Sequence, residues 1–239
     1  MRMNGKKDGV LMVCYACLLV IGGLLTWLKY DYNTVKMEDV REACGYVSAS
    51  ATSVEAPEIA LTFDDGPSAA WTPALLDGLK ERGVKATFFL IGENADKNPE
   101  IVKRMAEEGH LIGNHTYHHV ELTKVSENEA RLELSDTSAV SVRITGKEPE
   151  YMRPPFGAWQ RKLEQEIQML PVLWTIEPLD WTTENQDEIV NKVVTEAEEN
   201  DIILLHDCYK SSIEAGLRIV DILQEEGFVF VTVDELLLN

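Results

Sequence analysis

The chain has 239 residues, a length that fits one domain, or one domain with a tail, and can bury a full hydrophobic core. Hydrophobic residues make up 45% and charged residues 26% of the sequence, which is the balance of a globular protein and excludes a disordered one. The formal net charge of −19 argues against nucleic-acid binding, because that needs a basic face to neutralise phosphates. The single CxxC pair has no partner pair, which excludes a zinc-finger scaffold.

The N-terminal part of the chain has a different composition. Residues 10–28 form a run of 19 without a charge, and about 20 apolar residues cross a bilayer as a helix. Basic residues precede this run, and such flanks stay in the cytoplasm. We therefore predict a cytoplasmic tip and transmembrane anchor over 1–30, a stalk or docking segment over 31–56, and a cell-membrane protein with its catalytic part outside. The alternative is a cleaved signal peptide and a secreted protein, although the nearest small-residue run, Ser48–Ala51, lies about twenty residues too far along.

The part of the chain beyond residue 30 would be strongly acidic. Residues 1–30 hold four bases and one acid, which leaves 18 bases and 40 acids, a net charge of −22. Bulk charge will not attract this part to anionic lipid or wall polymer, so a carbohydrate partner needs a local site. Cys44 and Cys208 could form a disulfide outside the membrane, but their proximity cannot be read from the sequence, and we expect two free thiols.

From residue 57 onward, strand-like and helix-like segments alternate. This order predicts parallel strands with crossover helices, and runs such as IILL are typical of strands buried on both faces. A doubly wound sheet and a barrel both fit the order. In chain order we predict strand Ile59–Phe63, helix Thr72–Arg82, strand Ala86–Ile91, a helix from Asn98 to near Gly109, helix Ser126–Thr145, helix Gln160–Met169, strand Val172–Ile176, helix Asp187–Glu199, strand Ile202–Leu205, helix Ile213–Glu226 and strand Phe228–Val231.

Histidines are concentrated in one segment, because four of the five lie within residues 110–119. His115 and His119 are four residues apart, so on a helix they would face the same side and could chelate one divalent metal. A polar helix start with packed histidines would give the same pattern. His118 would point away from this pair.

Two adjacent carboxylates end the first predicted strand, in the stretch LTFDDGP. Turn chemistry alone explains Asp-Gly-Pro, yet the carboxyl ends of buried parallel strands are where α/β proteins build their sites. One of Asp64 and Asp65 could bind a metal while the other stays free as a base. Two histidines and one carboxylate leave open positions for water, the pattern of a catalytic metal site. The pattern does not say which carboxylate has which role.

Further polar residues follow predicted strands. His206 ends the strand Ile202–Leu205 and is a candidate general acid at neutral pH. Arg153 opens the stiff segment RPPFG and could pair with a carboxylate, while Asp180 and Trp181 follow another strand. Taken singly, His206 could cap a loop and Arg153 could belong to an ordinary proline loop. Asp180 and Trp181 could be a cap and a packed tryptophan. Their shared position at strand ends favours one site.

The stretches TFDDGP, HTYHH, RPPFG, LDW and LLHD together resemble the five motifs of the polysaccharide deacetylases, the NodB-homology domain of carbohydrate esterase family 4. The resemblance covers about residues 57–237 and includes the flanking KATFFLIG and GFVFVTVDELL. It implies an α/β fold, a distorted (β/α) barrel that forms a catalytic domain over 57–239. It also implies a metal-dependent deacetylase, with Zn²⁺ as the metal of most family members.

The resemblance also implies roles for individual residues. The metal ligands would be Asp65, His115 and His119. The general base would be Asp64, held anionic by Arg153, and the general acid would be His206, tuned by Asp180. The backbone N–H of Phe156 would stabilise the oxyanion, and Trp181 and Leu204 would enclose the acetyl methyl group. One departure is His118, which stands where serine is common and would place an extra imidazole beside the metal.

These features predict an enzyme that removes N-acetyl groups from N-acetylglucosamine-type residues of a cell-wall or surface polysaccharide, with peptidoglycan as the foremost substrate. We expect a monomer that binds its N-acetylated glycan and the membrane, through residues 10–28, and no nucleic acid. The alternatives are an O-deacetylase of the same family, acting on substrates such as acetylated xylan, and a non-catalytic glycan-binding module. The module is disfavoured because no position implied as a metal ligand is missing.

Overall fold

The computed structural model describes residues 56–159 and 167–238 as a layer of parallel strands covered by helices. The strands are β1 (Glu58–Asp64), β2 (Thr87–Leu90), β3 (Leu111–Asn114), β4 (Tyr151–Met152), β5 (Leu170–Pro171), β6 (Ile202–His206) and β7 (Val229–Val231). The helices are α1 (Thr72–Glu81), α2 (Gly92–Lys97), α3 (Pro99–Glu107), α4 (Glu127–Thr145), α5 (Gln186–Glu196), α6 (Lys210–Glu225) and α7 (Val233–Leu238), with 3₁₀ turns at Pro155–Gly157 and Asp180–Thr182.

The strands form one curled parallel sheet in the order β5-β4-β3-β2-β1-β6, with β7 also paired to β1. Glu58–Ala60 of β1 pair with β7, and Thr62–Asp64 pair with β2. Ala60–Asp64 pair with β6 on the opposite edge. Strand β1 is therefore central, and its side chains from Ile59 to Asp64 are buried. The α/β prediction is confirmed, as a curled parallel half-barrel.

The predicted strand Val172–Ile176 is wrong in its position. The strand is instead Leu170–Pro171, and the chain then continues irregularly to an isolated bridge between Ile176 and Ile203 of β6. The side chain of Arg153 explains the difference, because its Nε and Nη2 donate to the carbonyls of Val172 and Leu173. Those carbonyls bind a guanidinium, which the periodicity of the segment cannot reveal.

The longest described helix, α4, follows its sequence signals. The side chain of Ser126 accepts a hydrogen bond from the Glu129 N–H at 3.2 Å, and Gly146 ends the helix with φ of 75°. The short helices α2 and α7 were not predicted. The predicted helix Gln160–Met169 lies mostly outside the described residues, and its last three residues are not helical.

The main apolar core lies between the sheet and helices α1, α5 and α6. The rings of Phe63 on β1 and Phe88 on β2 stack with centroids 5.3 Å apart. Helices α1 and α6 approach closely at Gly78, where a Cβ atom would overlap the side chain of Leu217. This packing fixes the carboxyl ends of β1 and β6, which carry the polar residues of the site.

The predicted anchor over 1–30 and nearly all of the predicted stalk over 31–56 lie outside the described residues. Cys44 lies there too, so its pairing with Cys208 stays a prediction. Among residues 56–159 and 167–238, no helix has the length and apolarity that crossing a membrane requires.

Candidate metal centre and catalytic site

Asp65, His115 and His119 bring one potential ligand atom each to within 4.8 Å of one another. The Nε2 atoms of His115 and His119 lie 3.4 and 3.3 Å from Oδ1 of Asp65. That oxygen is buried and has no hydrogen-bond partner among the described residues. A buried, unpartnered carboxylate oxygen facing two imidazoles fits a divalent cation, and the donor set suits zinc. The residues that the resemblance implied as ligands therefore lie together.

The orientation of His115 is set by its second nitrogen. Its Nδ1 lies 2.7 Å from the carbonyl oxygen of Arg153, which can only accept, so Nδ1 carries the proton. The lone pair is then on Nε2, the atom that faces Asp65. Such a hydrogen bond fixes ring and tautomer in many metal-binding histidines.

The segment 115–119 is a loop, so His115 and His119 do not converge through the helical spacing that the sequence suggested. Thr116 and His119 have positive φ, 64° and 57°, which no α-helix allows. The backbone N–H groups of Tyr117 and His118 donate to the carboxylate of Glu133, at 2.9 and 2.7 Å, where a helix would have them donate to backbone carbonyls. The two histidines converge through this braced loop.

His118 is not part of the group of metal-ligand candidates, and its imidazole contacts Glu133. Its Nδ1 lies 2.8 Å from Oε1 of Glu133, and its side chain is 60% exposed. The hydrogen bond to Glu133 raises the pKa of His118, against a smaller effect of burial. His118 belongs to the brace of the loop.

Asp64 ends β1 and is buried beside Arg153. Its Oδ1 accepts from Nη1 of Arg153 at 2.8 Å, and its Oδ2 lies 3.8 Å from Nε2 of His115. The guanidinium is fully buried, and its Nη1 also donates to Thr62 while the ring of Phe89 lies 4.2 Å from its central carbon. The charge-assisted hydrogen bond to this fixed guanidinium sets the orientation of the Asp64 carboxylate.

His206 ends β6, next to Asp64 in the register of the sheet. The carboxylate of Asp180 accepts hydrogen bonds from the backbone N–H and from Nδ1 of His206, each at 2.8 Å. Burial on its own lowers the pKa of His206, but the hydrogen bond and charge of Asp180, helped by Asp64 and Asp65, raise that pKa to about 9. In the metal-free site His206 is therefore protonated at neutral pH and can donate a proton.

Of the three residues implied for substrate binding, Phe156 contacts this cluster, and Trp181 and Leu204 lie close to Asp180 and His206 in the chain. Phe156 has φ of 61°, its side chain is exposed, and its ring centroid lies 4.9 Å from that of His119. Trp181 is 53% exposed in the turn after Asp180, and Leu204 is buried two residues before His206. Their proposed contacts with substrate stay predictions.

Sequence reasoning missed two buried acids near the site. Asp207 is fully buried, accepts from the Thr72 hydroxyl at 2.5 Å, and lies so close to Gly66 that a Cβ there would overlap it. Burial raises the pKa of Asp207 to about 7. Glu133, the brace of the histidine loop, is the other. Its signal was available, because it falls with Ala130 and Thr137 on the buried face of a predicted helix.

Comparisons with known proteins agree with this geometry. Residues 51–173 match the family model described as polysaccharide deacetylase. The chain is 42% identical over 194 residues to a peptidoglycan-N-acetylglucosamine deacetylase of Bacillus cereus, covering 78% of this chain and 70% of that protein. It is 38% identical over 210 residues to the peptidoglycan-N-acetylglucosamine deacetylase PgdA of Listeria monocytogenes, covering 84% of this chain but only 45% of that longer protein.

The fold is similar to a solved structure of the same kind. The peptidoglycan deacetylase PdaC from Bacillus subtilis matches with a TM-score of 0.75 and 38% identity, over 76% of this chain and 90% of the solved one. The resemblance in the sequence motifs is thereby confirmed at the level of the family.

Proposed function

Because this chain belongs to the polysaccharide deacetylase family, we propose that it is a metal-dependent hydrolase that removes N-acetyl groups from N-acetylglucosamine-type residues of peptidoglycan. One observation carries the proposal. The carboxylate of Asp64, bonded to a fully buried arginine, lies beside a cluster of two imidazoles and one carboxylate. The names of the relatives from Bacillus cereus and Listeria monocytogenes support the choice of glycan.

In the proposed reaction, Asp65, His115 and His119 hold a divalent metal, with zinc favoured by the donor set. When bound, the metal polarises the acetyl carbonyl and lowers the pKa of water. Asp64 takes the proton of the attacking water, and Arg153 holds this carboxylate in position through the hydrogen bond from its Nη1.

The leaving amine needs a proton before the C–N bond breaks. His206 supplies it, and Asp180 holds the ring and stabilises its cationic form. The backbone N–H of Phe156 donates to the oxygen of the former carbonyl as negative charge develops there. Trp181 and Leu204 enclose the acetyl methyl group. The products are acetate and a glucosamine-type amine.

We propose, as part of this function, that residues 10–28 anchor the enzyme in the cell membrane with its catalytic part outside. The support is the uncharged run and its basic flank. Protease treatment of intact cells tests the placement. We expect the protease to remove the catalytic part while an N-terminal tag stays with the membrane. A free form of the protein that begins near residue 30 or 52 would instead favour cleavage and secretion.

The reaction is tested by acetate release from peptidoglycan and from chito-oligosaccharides. The full chain in detergent is stripped of metal, reloaded with zinc, and compared with Asp64→Asn and with Asp136→Asn, an exposed acid on α4 that serves as control. We expect zinc-dependent release of acetate, with one new amine per acetate. Asp64→Asn should lose this release, and Asp136→Asn should keep it. Release only from O-acetylated glycan would indicate the esterase alternative, and zinc binding without any release would refute the proposed reaction.

A further inference from the structure

The short helix α2 contacts both segments that carry the candidate metal ligands. It follows β2, and that strand lies between β1 and β3 in the sheet. Asp65 follows β1 and the histidine loop follows β3, so α2 begins between the two ligand-bearing segments. The mechanism above gives this helix no role.

The first N–H groups of α2 donate to the histidine loop. Gly92 donates to the carbonyl of Thr116 at 2.9 Å, and Glu93 donates to the carbonyl of Tyr117 at 3.0 Å. The first N–H groups of a helix have no partner inside it, so they are available for such bonds. Thr116 and Tyr117 lie between the two candidate ligands of the loop, and two backbone hydrogen bonds therefore join this loop to the helix.

The side chain of Asn94 joins the same helix to the segment after β1. Its Nδ2 donates to the backbone carbonyl of Asp65 at 2.8 Å. A carbonyl can only accept, which identifies the amide nitrogen as the atom that faces it. The next carbonyl, that of Gly66, accepts from the N–H of Ile91 at 3.2 Å. Two consecutive carbonyls of the turn are thus bonded to the beginning of α2.

The backbone of Asp65 has an uncommon conformation that such bonds can maintain. Its φ of 72° lies in the left-handed region, and residues persist there where the surrounding structure holds them. In this conformation Oδ1 of Asp65 lies 3.4 and 3.3 Å from Nε2 of His115 and His119. A change in the backbone of Asp65 would move its carboxylate, so a bond that fixes the carbonyl also fixes the direction of the carboxylate.

We propose that Asn94 is a positioning residue for the metal site. Its carboxamide fixes Asp65, and the helix that carries it fixes the histidine loop, so the three candidate ligands keep their mutual distances before a metal binds. A ligand set that is arranged in advance binds more tightly, because binding then has less to order. The inference rests on the proposed function for the metal site, and it assigns a role to Asn94, which belongs to none of the five motifs.

The test is the zinc affinity of the full chain in detergent, measured by competition with a chelator at a temperature where every variant is folded. Asn94→Leu keeps a branched side chain of similar size, suits a helix and removes the donor. We expect about tenfold weaker zinc binding, the lower end of the range for lost partners of metal ligands. Asn94→Gln keeps an amide donor and should retain most of the affinity. Equal zinc affinity in Asn94→Leu and the wild type would overturn the proposal.

Two controls separate positioning from a general effect on the fold. Glu93→Gln changes the neighbouring side chain, which pairs with Lys97 at the surface, and should bind zinc like the wild type. Urea unfolding of the metal-free proteins measures the stability of the fold itself. Lower stability of metal-free Asn94→Leu with unchanged zinc affinity would limit Asn94 to the fold and so overturn the positioning role.

The affinity measurement also separates this inference from the proposed reaction, because it needs no turnover. Weaker zinc binding by Asn94→Leu, in a protein whose wild type releases no acetate, would support the positioning role while the proposed reaction fails. Zinc-dependent acetate release by the wild type, with equal zinc affinity in both proteins, would support the reaction and overturn the positioning role.

Discussion

Asp64 and Asp65 are neighbours in the chain, yet their carboxylates have different surroundings. Asp65 has φ of 72°, a left-handed conformation that aspartate tolerates better than most residues. The turn sends Asp64 toward Arg153 and Asp65 toward the two histidines. Residue types and spacing predict only that one acid binds metal and the other stays free. The resemblance to the family motifs assigned the metal to Asp65, and the observed orientations are consistent with that assignment.

The pKa of His206 gives the first prediction. Because that pKa is raised to about 9, the acid form persists from neutral pH up to that value and is lost above it. Asp180→Asn removes the main raising influence and leaves burial, which lowers the pKa. The alkaline limb of the kcat profile should then move down by at least about one pH unit, with kcat at pH 8 lower by at least about twofold. A pH–rate profile measures this, and an unmoved alkaline limb would contradict it.

Asp207 gives a prediction about stability. Its folded-state pKa, about 7, lies above the usual 3.8, so folding disfavours the ionised form. Below about pH 4, Asp207 does not lower the free energy of unfolding. As the pH rises from 4 to 7, it lowers this free energy increasingly. In metal-free protein, Asp207→Asn should therefore gain free energy of unfolding relative to wild type between pH 4 and 8, by roughly 2–4 kcal/mol. Urea titrations at both pH values test it, and a pH-independent difference would refute it.

Among the elements, α4 has a role beyond packing, because it carries the brace of the histidine loop. Both oxygens of Glu133 are used, one by two backbone N–H groups and one by His118. Ser126 caps the N-terminus of this helix, so a local hydrogen bond stabilises its first turn. A well-formed helix thus holds a loop with two left-handed residues in the shape that joins His115 and His119.

We predict that Glu133→Ala weakens metal binding while the fold is kept. Alanine has no side-chain acceptor, so the backbone N–H groups of Tyr117 and His118 lose their shared partner. Loss of a residue that orients metal ligands lowers metal affinity about 10- to 100-fold. Competition with a zinc chelator measures the affinity, and circular dichroism confirms the fold. Asp136→Asn, three residues along the same helix, should bind zinc like the wild type, and equal affinity in both variants would disprove the brace.

Elements could be predicted wherever local signals determine them, and not elsewhere. The bounds of α4 follow from Ser126 and Gly146, and β1 and β6 follow from their apolar runs. The histidine loop and the segment after β5 were misjudged because a side chain distant in sequence, Glu133 or Arg153, takes their backbone hydrogen bonds. Local periodicity contains no information about such partners.

For the whole molecule, the candidate metal ligands join segments distant in sequence, since Asp65 follows β1 and the histidines follow β3. A metal held by all three would bind the folded state only, and so would stabilise it. At a free zinc concentration 100 times Kd, the free energy of unfolding should rise by about 2.7 kcal/mol.

Thermal or urea unfolding with and without zinc measures this increment. His119→Ala should lose most of it, whereas His118→Ala should keep most of it, because His118 faces Glu133. A zinc increment of equal size in His119→Ala and the wild type would exclude His119 as a ligand.

The family could be recognised from motifs, and the motifs also named the residues of the candidate metal site. The spatial relation of the motifs could not, since it depends on strand order. Strand β1 lies beside β2 and β6, although most of the domain separates β1 from β6 in sequence. That arrangement places His206 next to Asp64.

The double pairing of β1 has a consequence for hydrogen exchange. Its amides face β6 on one edge and β7 or β2 on the other, and every side chain from Ile59 to Asp64 is buried. Amides of this kind exchange with solvent deuterium only when the whole domain opens. Asp64, the proposed base, therefore stands at the end of a segment whose amides we expect to be among the slowest to exchange. This predicts that its position stays fixed in every opening short of global unfolding.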